Sequence, residues 1–396
     1  MSLNETPRAN RIHIGIFGKR NSGKSSLINA LTGQDIALVS AHAGTTTDPV
    51  YKAMELHPVG PVVFIDTAGF DDQGDLGALR VERTKEVIGK TDVALLVFDE
   101  GPLDELKVWM NLLEEAKVPI IPVVNKADQL DRELLCEKVR MVFALSPYLI
   151  SAKTGEGIEY LKTAIAEVTK DLDVERYILA NLIEPGDTVL LVMPQDIQAP
   201  RGRLILPQVQ TIRELLDRSC TTVCTTADNF AMALSALAAP PNLIVTDSQC
   251  FGEVYKGKPA ASKLTSFSVL FAAYKGDMKE FEKGAYVIDR LSNDGKVLIA
   301  EACTHAPLTE DIGREKIPAL LKKRYPNITV DIVSGAKFPK NLGDYDLIIH
   351  CGACMFNRKL VLSRIKAAKD AGVAITNYGI VMAYFAEILD KIDIPE

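Results

Sequence analysis

Ile12-His13-Ile14-Gly15-Ile16-Phe17-Gly18-Lys19-Arg20-Asn21-Ser22-Gly23-Lys24-Ser25-Ser26-Leu27-Ile28-Asn29-Ala30-Leu31 joins an apolar run to a helical pattern through a glycine-containing loop. Residues 18 to 25 have the spacing of a phosphate-binding loop, in the strand-to-helix setting that the motif requires. The path Gly18, Asn21, Ser22, Gly23 and Ser26 lets backbone N–H groups curl around phosphates. Lys24 adds a point charge for the terminal phosphates, and the Ser25 hydroxyl is suited to Mg²⁺. This much implies a nucleotide and leaves the base and the biological role open.

Three further elements point to GTP. Asp66-Thr67-Ala68-Gly69 ends the run Val62 to Ile65, where an Asp reaches the Mg²⁺ shell and the Gly69 amide senses the γ-phosphate. Asn125-Lys126-Ala127-Asp128 ends the run Ile120 to Val124, and a carboxylate there accepts two hydrogen bonds from N1 and N2 of guanine. Adenine lacks that donor pair. Ser151-Ala152-Lys153 closes another apolar stretch and backs the base on its other side. Each tetrapeptide is weak alone, but their order along the chain and their places at strand ends make them one site.

A chain of 396 residues predicts two or three domains, and 47% hydrophobic content is ample for packed cores. The formal charge of -7 argues against a general nucleic-acid binder. Met1 to Ala9 is short and polar, and no run approaches the roughly 18 apolar residues that span a bilayer, so a cytoplasmic protein without a membrane partner is expected. Seven cysteines in such a compartment read as thiols, metal ligands or core residues.

Residues 11 to about 170 alternate strands with amphipathic helices, ending with the helix Ile158 to Val168. A second βαβαβ pattern follows: strands at Thr188–Val192, Thr221–Thr226 and Leu243–Thr246, with helices between them. Its short sheet invites completion by a second copy. Gly252 to Lys263 reads as a linker into a third α/β unit, with strands Val297–Ala300, Thr329–Val333, Leu347–Ile349 and Val373–Thr376. The expected fold class is α/β: a P-loop domain over 1–174, then two smaller α/β domains with mainly parallel sheets over 175–264 and 265–396.

Cys303-Thr304-His305 follows one of these strands, and His350-Cys351-Gly352-Ala353-Cys354 follows another. In a parallel sheet, ligands gather outside the carboxyl ends of strands, so three thiols and two imidazoles share one rim. A Cys-x-x-Cys pair bites one metal or cluster, because two intervening residues let both sulfurs converge. Zinc in a Cys₃His site and an iron-sulfur cluster with an exchangeable position both fit this residue count, and thiol redox chemistry or simple packing is the remaining reading. Cys136, Cys220, Cys224 and Cys250 read as small buried hydrophobes.

With the GTPase motifs and Cys-x-His … His-Cys-x-x-Cys on one chain, the sequence closely resembles the HydF family of FeFe-hydrogenase maturation GTPases, over essentially its whole length. The resemblance implies a G domain, a dimerisation domain and a C-terminal cluster domain. It implies a scaffold in which Cys303, Cys351 and Cys354 hold a 4Fe-4S cluster, with His305 and His350 as a labile fourth ligand or as supports behind the ligands. The implied partners are the radical-SAM maturases HydE and HydG, apo-FeFe-hydrogenase and a second copy of the chain.

The G domain resembles the TrmE and Era group. Gly44-Thr45-Thr46-Thr47-Asp48 matches that group's switch I, which gives Thr46 the Mg²⁺ and γ-phosphate contact, although Thr47 replaces the usual Arg. Phe70 follows Gly69, so the water-orienting glutamine of Ras-like enzymes is missing and slow hydrolysis is expected. Asn21 matches the asparagine that helps bind K⁺ in potassium-activated relatives; its alternative is simply to shape the loop. Two other readings stay open at this point: a zinc-containing regulatory GTPase, and a GTPase of RNA modification or ribosome assembly.

Overall fold

The computed structural model describes residues 7–19, 21–33, 50–67, 84–99, 103–129, 131–170, 172, 176–193, 204–301, 312–335, 338–339 and 341–396. Thr46, Gly69, Cys303 and His305, together with the switch segment 44–48 and Phe70, lie outside the described residues. The chain divides into two compact units, Met1–Val174 and Glu175–Glu396.

The first unit begins with β1 (Ile12–Gly18) and α1 (Lys24–Thr32), followed by β2 (Val50–Leu56), β3 (Gly60–Asp66) and β4 (Val93–Phe98). Next come α2 (Asp104–Glu115), β5 (Ile120–Val124), α3 (Arg132–Phe143), β6 (Tyr148–Leu149) and α4 (Ile158–Lys170). The sheet order is β2-β3-β1-β4-β5-β6, with β2 antiparallel to β3 and every other pair parallel. Parallel strands must bury both faces, and β4 does so by strict alternation. Val93, Leu95 and Val97 join Leu27, Ile28, Leu161 and Ile165 on one face, while Ala94, Leu96 and Phe98 join Leu106, Leu135 and Phe143 on the other. The strand order turns at β1 and β4, the place where open α/β sheets bind ligands.

The second unit carries two four-stranded parallel sheets. One is built from β7 (Thr188–Val192), α5 (Leu206–Asp217), β8 (Thr221–Thr225), α6 (Phe230–Ser235), β9 (Leu243–Thr246), α7 (Phe251–Gly257) and β10 (Lys263–Ser266). After α8 (Phe267–Lys275) and α9 (Met278–Tyr286), the other uses β11 (Lys296–Glu301), α10 (Ile317–Arg324), β12 (Thr329–Ser334), β13 (Leu347–His350), α11 (Arg358–Asp370), β14 (Ala374–Asn377) and α12 (Tyr378–Phe385). Their orders, β10-β9-β7-β8 and β12-β11-β13-β14, are the same topology read from opposite edges.

The expected α/β class with mainly parallel sheets is therefore what the chain adopts, and the structure corrects one part of the expected layout. The stretch 252–263 is not a plain linker. Phe251 and Val254 bury one face of α7, and the chain then forms β10, whose backbone pairs with β9 across the expected 264/265 border. The second sheet thus takes its fourth strand from its own chain.

One apolar cluster joins the two sheets of this unit. Leu190, Ile244, Phe251, Leu264 and Val269 pack in it with Leu298, Ala300, Ile348 and Ile375. Helix α8 is buried on several sides: Val269 and Ala272 belong to this shared cluster, whereas Phe267, Leu270 and Phe271 cover the far face of the second sheet. Close approach is built into the packing. A Cβ on Gly284 of α9 would lie 2.1 Å from the Ile375 carbonyl oxygen of β14, so glycine is required there.

Candidate functional site

The phosphate loop follows β1 and leads into α1, whose N-cap is Gly23 in the left-handed region (φ 88°) with no side chain capping it. The first N–H groups of a helix lack intrahelical acceptors, and here they are left to meet an anion. Ser22 is 1% exposed and its Oγ has no partner among the described residues. An orphaned hydroxyl donor at an uncapped helix start fits a phosphate. Lys24 is buried and donates to the Gly18 and Lys19 carbonyls at 2.6 and 2.7 Å, holding the loop curled. Asn21 sits at φ 61°, and Ser26 is exposed in the first turn of α1.

Ser25 donates its hydroxyl to the Asp66 carboxylate at 2.8 Å, and Asp66 is 1% exposed at the end of β3. Two hard oxygen donors beside the phosphate loop suit Mg²⁺, which these two residues would hold and which would neutralise charge on the terminal phosphates.

The residues expected to read the base form one hydrogen-bonded assembly. Asn125 donates to the Ser22 carbonyl at 3.2 Å and accepts from the Lys126 and Ala152 amides at 2.8 and 3.0 Å, so it ties the phosphate loop to both base loops. Ser151 donates to Asp128 at 2.7 Å; that bond, reinforced by Lys153 and Arg132, holds the Asp128 carboxyl below its ordinary range. Lys153 is itself exposed, 4.0 Å from Asp128. Asp99, just beyond β4, receives Lys126 at 2.8 Å and Arg132 at 2.9 Å, fixing the lysine between Asn125 and Asp128. No motif flagged Asp99. Its one signal in the sequence is an acidic residue at the end of an apolar strand adjoining the Asn125–Asp128 strand.

Gly23 faces Asn125: a Cβ there would lie 2.3 Å from Asn125 Nδ2. Gly23→Ala is expected to lose about 2 to 4 kcal/mol from left-handed strain and the broken Asn125 bond. A thermal melt of the first unit's transition should fall by roughly 5–10 °C, with weakened nucleotide binding.

The third sheet turns its strand order between β11 and β13, so its ligand crevice lies at their carboxyl ends. His350 ends β13, and Cys351 and Cys354 follow it directly. The Ala353 amide donates to Cys351 Sγ at 3.4 Å, with Ala353 at φ 49°. Thiolates that accept backbone amides suit an iron-sulfur cluster, and these two residues could supply two of its ligands. Among the described residues no three metal-binding side chains converge; Cys303 and His305 lie outside them.

His350 is not placed as a ligand. It is fully buried, its Nε2 accepts from Arg364 at 2.9 Å, and its Nδ1 donates to the Cys351 carbonyl at 2.6 Å. Both ring nitrogens are committed. Burial, and then the Arg364 charge, push its pKa down to about 3, so the ring is neutral and braces the turn from behind. Asn377 adds a bond to the same Cys351 carbonyl at 3.2 Å. The remaining cysteines divide: Cys136 and Cys220 are buried as expected, Cys250 is half-buried with burial pushing its thiol up to about 11, and Cys224 is exposed on edge strand β8.

Three family profiles match the chain. Residues 13–126 match a 50S ribosome-binding GTPase profile, 178–276 the hydrogen maturase F dimerization domain, and 279–393 the hydrogen maturase F tetramerization domain. Among curated proteins, GTPase Der of Wolinella succinogenes is 37% identical over 177 residues, covering 42% of this chain and 37% of its own. The tRNA modification GTPase MnmE of Bordetella petrii is 36% identical over 156 residues, covering 39% of this chain and 33% of its own. The chain thus spans about a third of the length of these relatives. A crystal structure of a probable GTP-binding protein engB aligns at a TM-score of 0.33 and 26% identity, over 40% of this chain and 99% of that one. With both maturase-specific domains present behind a GTPase domain, the chain belongs to the hydrogen maturase F family of GTPases.

Proposed function

We propose that the chain hydrolyses GTP to switch a scaffold that carries a 4Fe-4S cluster and delivers a diiron precursor to apo-FeFe-hydrogenase. One observation carries this reading: a guanine-type site and a braced Cys-x-x-Cys turn at the switch point of a parallel sheet occur on one family-typical chain. Cys351 and Cys354, with Cys303, would hold the cluster. His305 is the remaining candidate for an exchangeable position, since His350 is engaged elsewhere. The radical-SAM maturases HydE and HydG would load the precursor, and the cytoplasm is the compartment in which all these partners meet.

In the GTP site, Lys24 and the backbone amides of the loop stabilise charge on the phosphates, Asp128 reads the base, and Thr46 and Gly69 respond to the γ-phosphate. Nothing in this assignment supplies a glutamine to orient water. Slow turnover follows, and K⁺ held near Asn21 would take the place of an arginine finger. Replacing K⁺ by Na⁺ in a hydrolysis assay is expected to lower kcat at least about tenfold; equal rates in both salts would assign Asn21 to loop shape alone.

Self-association belongs to residues 178–276 and 279–393. Edge strand β8, beside which no further strand lies among the described residues, is the natural place for a homodimer contact. No helix among the described residues is long and apolar enough to cross a membrane. The delivery step is tested by mixing precursor-loaded protein with apo-hydrogenase and measuring hydrogen evolution. Activation by the wild type and none by a Cys351→Ala, Cys354→Ala variant is the expected result; equal activation by both would refute delivery from this rim.

A further inference from the structure

Lys275 ends α8 and is 1% exposed, yet it is an amine with no role in the GTP site or among the expected ligands. Its Nζ donates to the carbonyls of Ala353 at 3.0 Å, Cys354 at 3.2 Å and Phe356 at 2.8 Å. A buried ammonium is tolerated only when its protons are engaged, so this contact is strongly directional. All three acceptors belong to the Cys-x-x-Cys turn and the residues just after it.

The contact is reciprocated. Arg358, the first residue of α11, donates through Nη1 to the carbonyls of Tyr274 at 3.1 Å and Gly276 at 3.0 Å, on either side of Lys275. Each segment therefore grips the backbone of the other. Lys275 and its neighbours lie in the stretch that matches the dimerization domain, whereas the turn lies in the stretch that matches the tetramerization domain.

We propose that Lys275 is a positioning residue for the Cys351 and Cys354 thiolates, acting through the backbone of their turn. A trans peptide directs its C=O and N–H to opposite sides. Drawing the Ala353 and Cys354 carbonyls toward Lys275 turns the amides of Cys354 and Met355 the other way, away from the ammonium. The Ala353 amide already reaches Cys351 Sγ. The clasp thus sets the turn before any cluster arrives and ties it to α8, whose other faces are packed in the shared core. This inference rests on the cluster reading above.

The test uses the full chain, reconstituted anaerobically with ferrous iron and sulfide and then challenged with a ferrous chelator. Lys275→Met is expected to release iron at least about tenfold faster than the wild type, the scale on which groups supporting metal ligands act. Its reduction potential should move more negative as the nearby positive charge is lost. Lys275→Arg should restore part of the retention. A wild type that holds its cluster beside a Lys275→Met variant with equal retention and potential would overturn this inference alone. A wild type that takes up no cluster would overturn the cluster reading and this inference with it. If Lys275→Met loses its fold by circular dichroism, the half-buried partner takes over: faster release from Arg358→Gln supports the clasp, and unchanged release refutes it.

Discussion

Asp128→Asn is expected to lower GTP affinity on the order of a hundredfold, by replacing two carboxylate acceptors with one acceptor and one donor. The donor that Asn brings would oppose the guanine amino group and suit a carbonyl at the same ring position, so XTP should bind in place of GTP. Ser151 and Asn125 keep their backbone links in this variant, so the fold should persist. Nucleotide titration with a fluorescent analogue reads both changes. The pH profile follows from the same bond. Because the Ser151 hydrogen bond holds the carboxyl below the usual carboxylate range, it stays ionised on acidification, and GTP affinity should be level from pH 7 to about pH 5. Affinity is lost only as pH falls through the lowered value. Unchanged GTP affinity in Asp128→Asn would remove this residue from base recognition.

Lys24→Ala is expected to reduce GTPase kcat/KM by about 10² to 10³, the usual scale for removing one preorganised charge from a transition state. The ammonium is buried on the Gly18 and Lys19 carbonyls, so it waits inside the loop without being drawn out to solvent. Incoming phosphate oxygens are better acceptors than those carbonyls, and charge developing on them in transfer strengthens the contact further. Single-turnover hydrolysis separates this from weaker binding. A Lys24→Ala variant whose single-turnover rate matches the wild type at saturating GTP would assign the lysine to holding the loop alone.

Much of this site was legible in the sequence because its residues sit at fixed distances from strand ends. Gly18 to Ser25, Asp66, Asn125 to Asp128 and Ser151 to Lys153 each follow an apolar run, and the sheet gathers those ends on one rim. The strands Thr188–Val192 and Leu243–Thr246 were equally plain, being short apolar runs between turn residues. The stretch after Cys250 was not. Helix α7 has seven residues and two glycines, and β10 has the single large apolar residue Leu264, so neither shows a period. Their burial comes from the shared core, which no local pattern records.

The site residues that were missed share one trait: each acts through tertiary contact. Asp99 meets Lys126 and Arg132 from other segments, and Lys275 reads along the chain as an ordinary basic residue closing a helix. His350 is the converse. Its place beside Cys351 suggests a ligand, and only the fold reveals Arg364 on its Nε2.

A 4Fe-4S cluster on the rim of the third sheet is the proposal on which the rest depends. Anaerobic iron and sulfide reconstitution, followed by EPR of the reduced protein, tests it most directly beside a Cys303→Ala, Cys351→Ala, Cys354→Ala variant. The account predicts a cubane-type signal with about four irons per chain in the wild type and none in the variant. A colourless wild type containing stoichiometric zinc would contradict it.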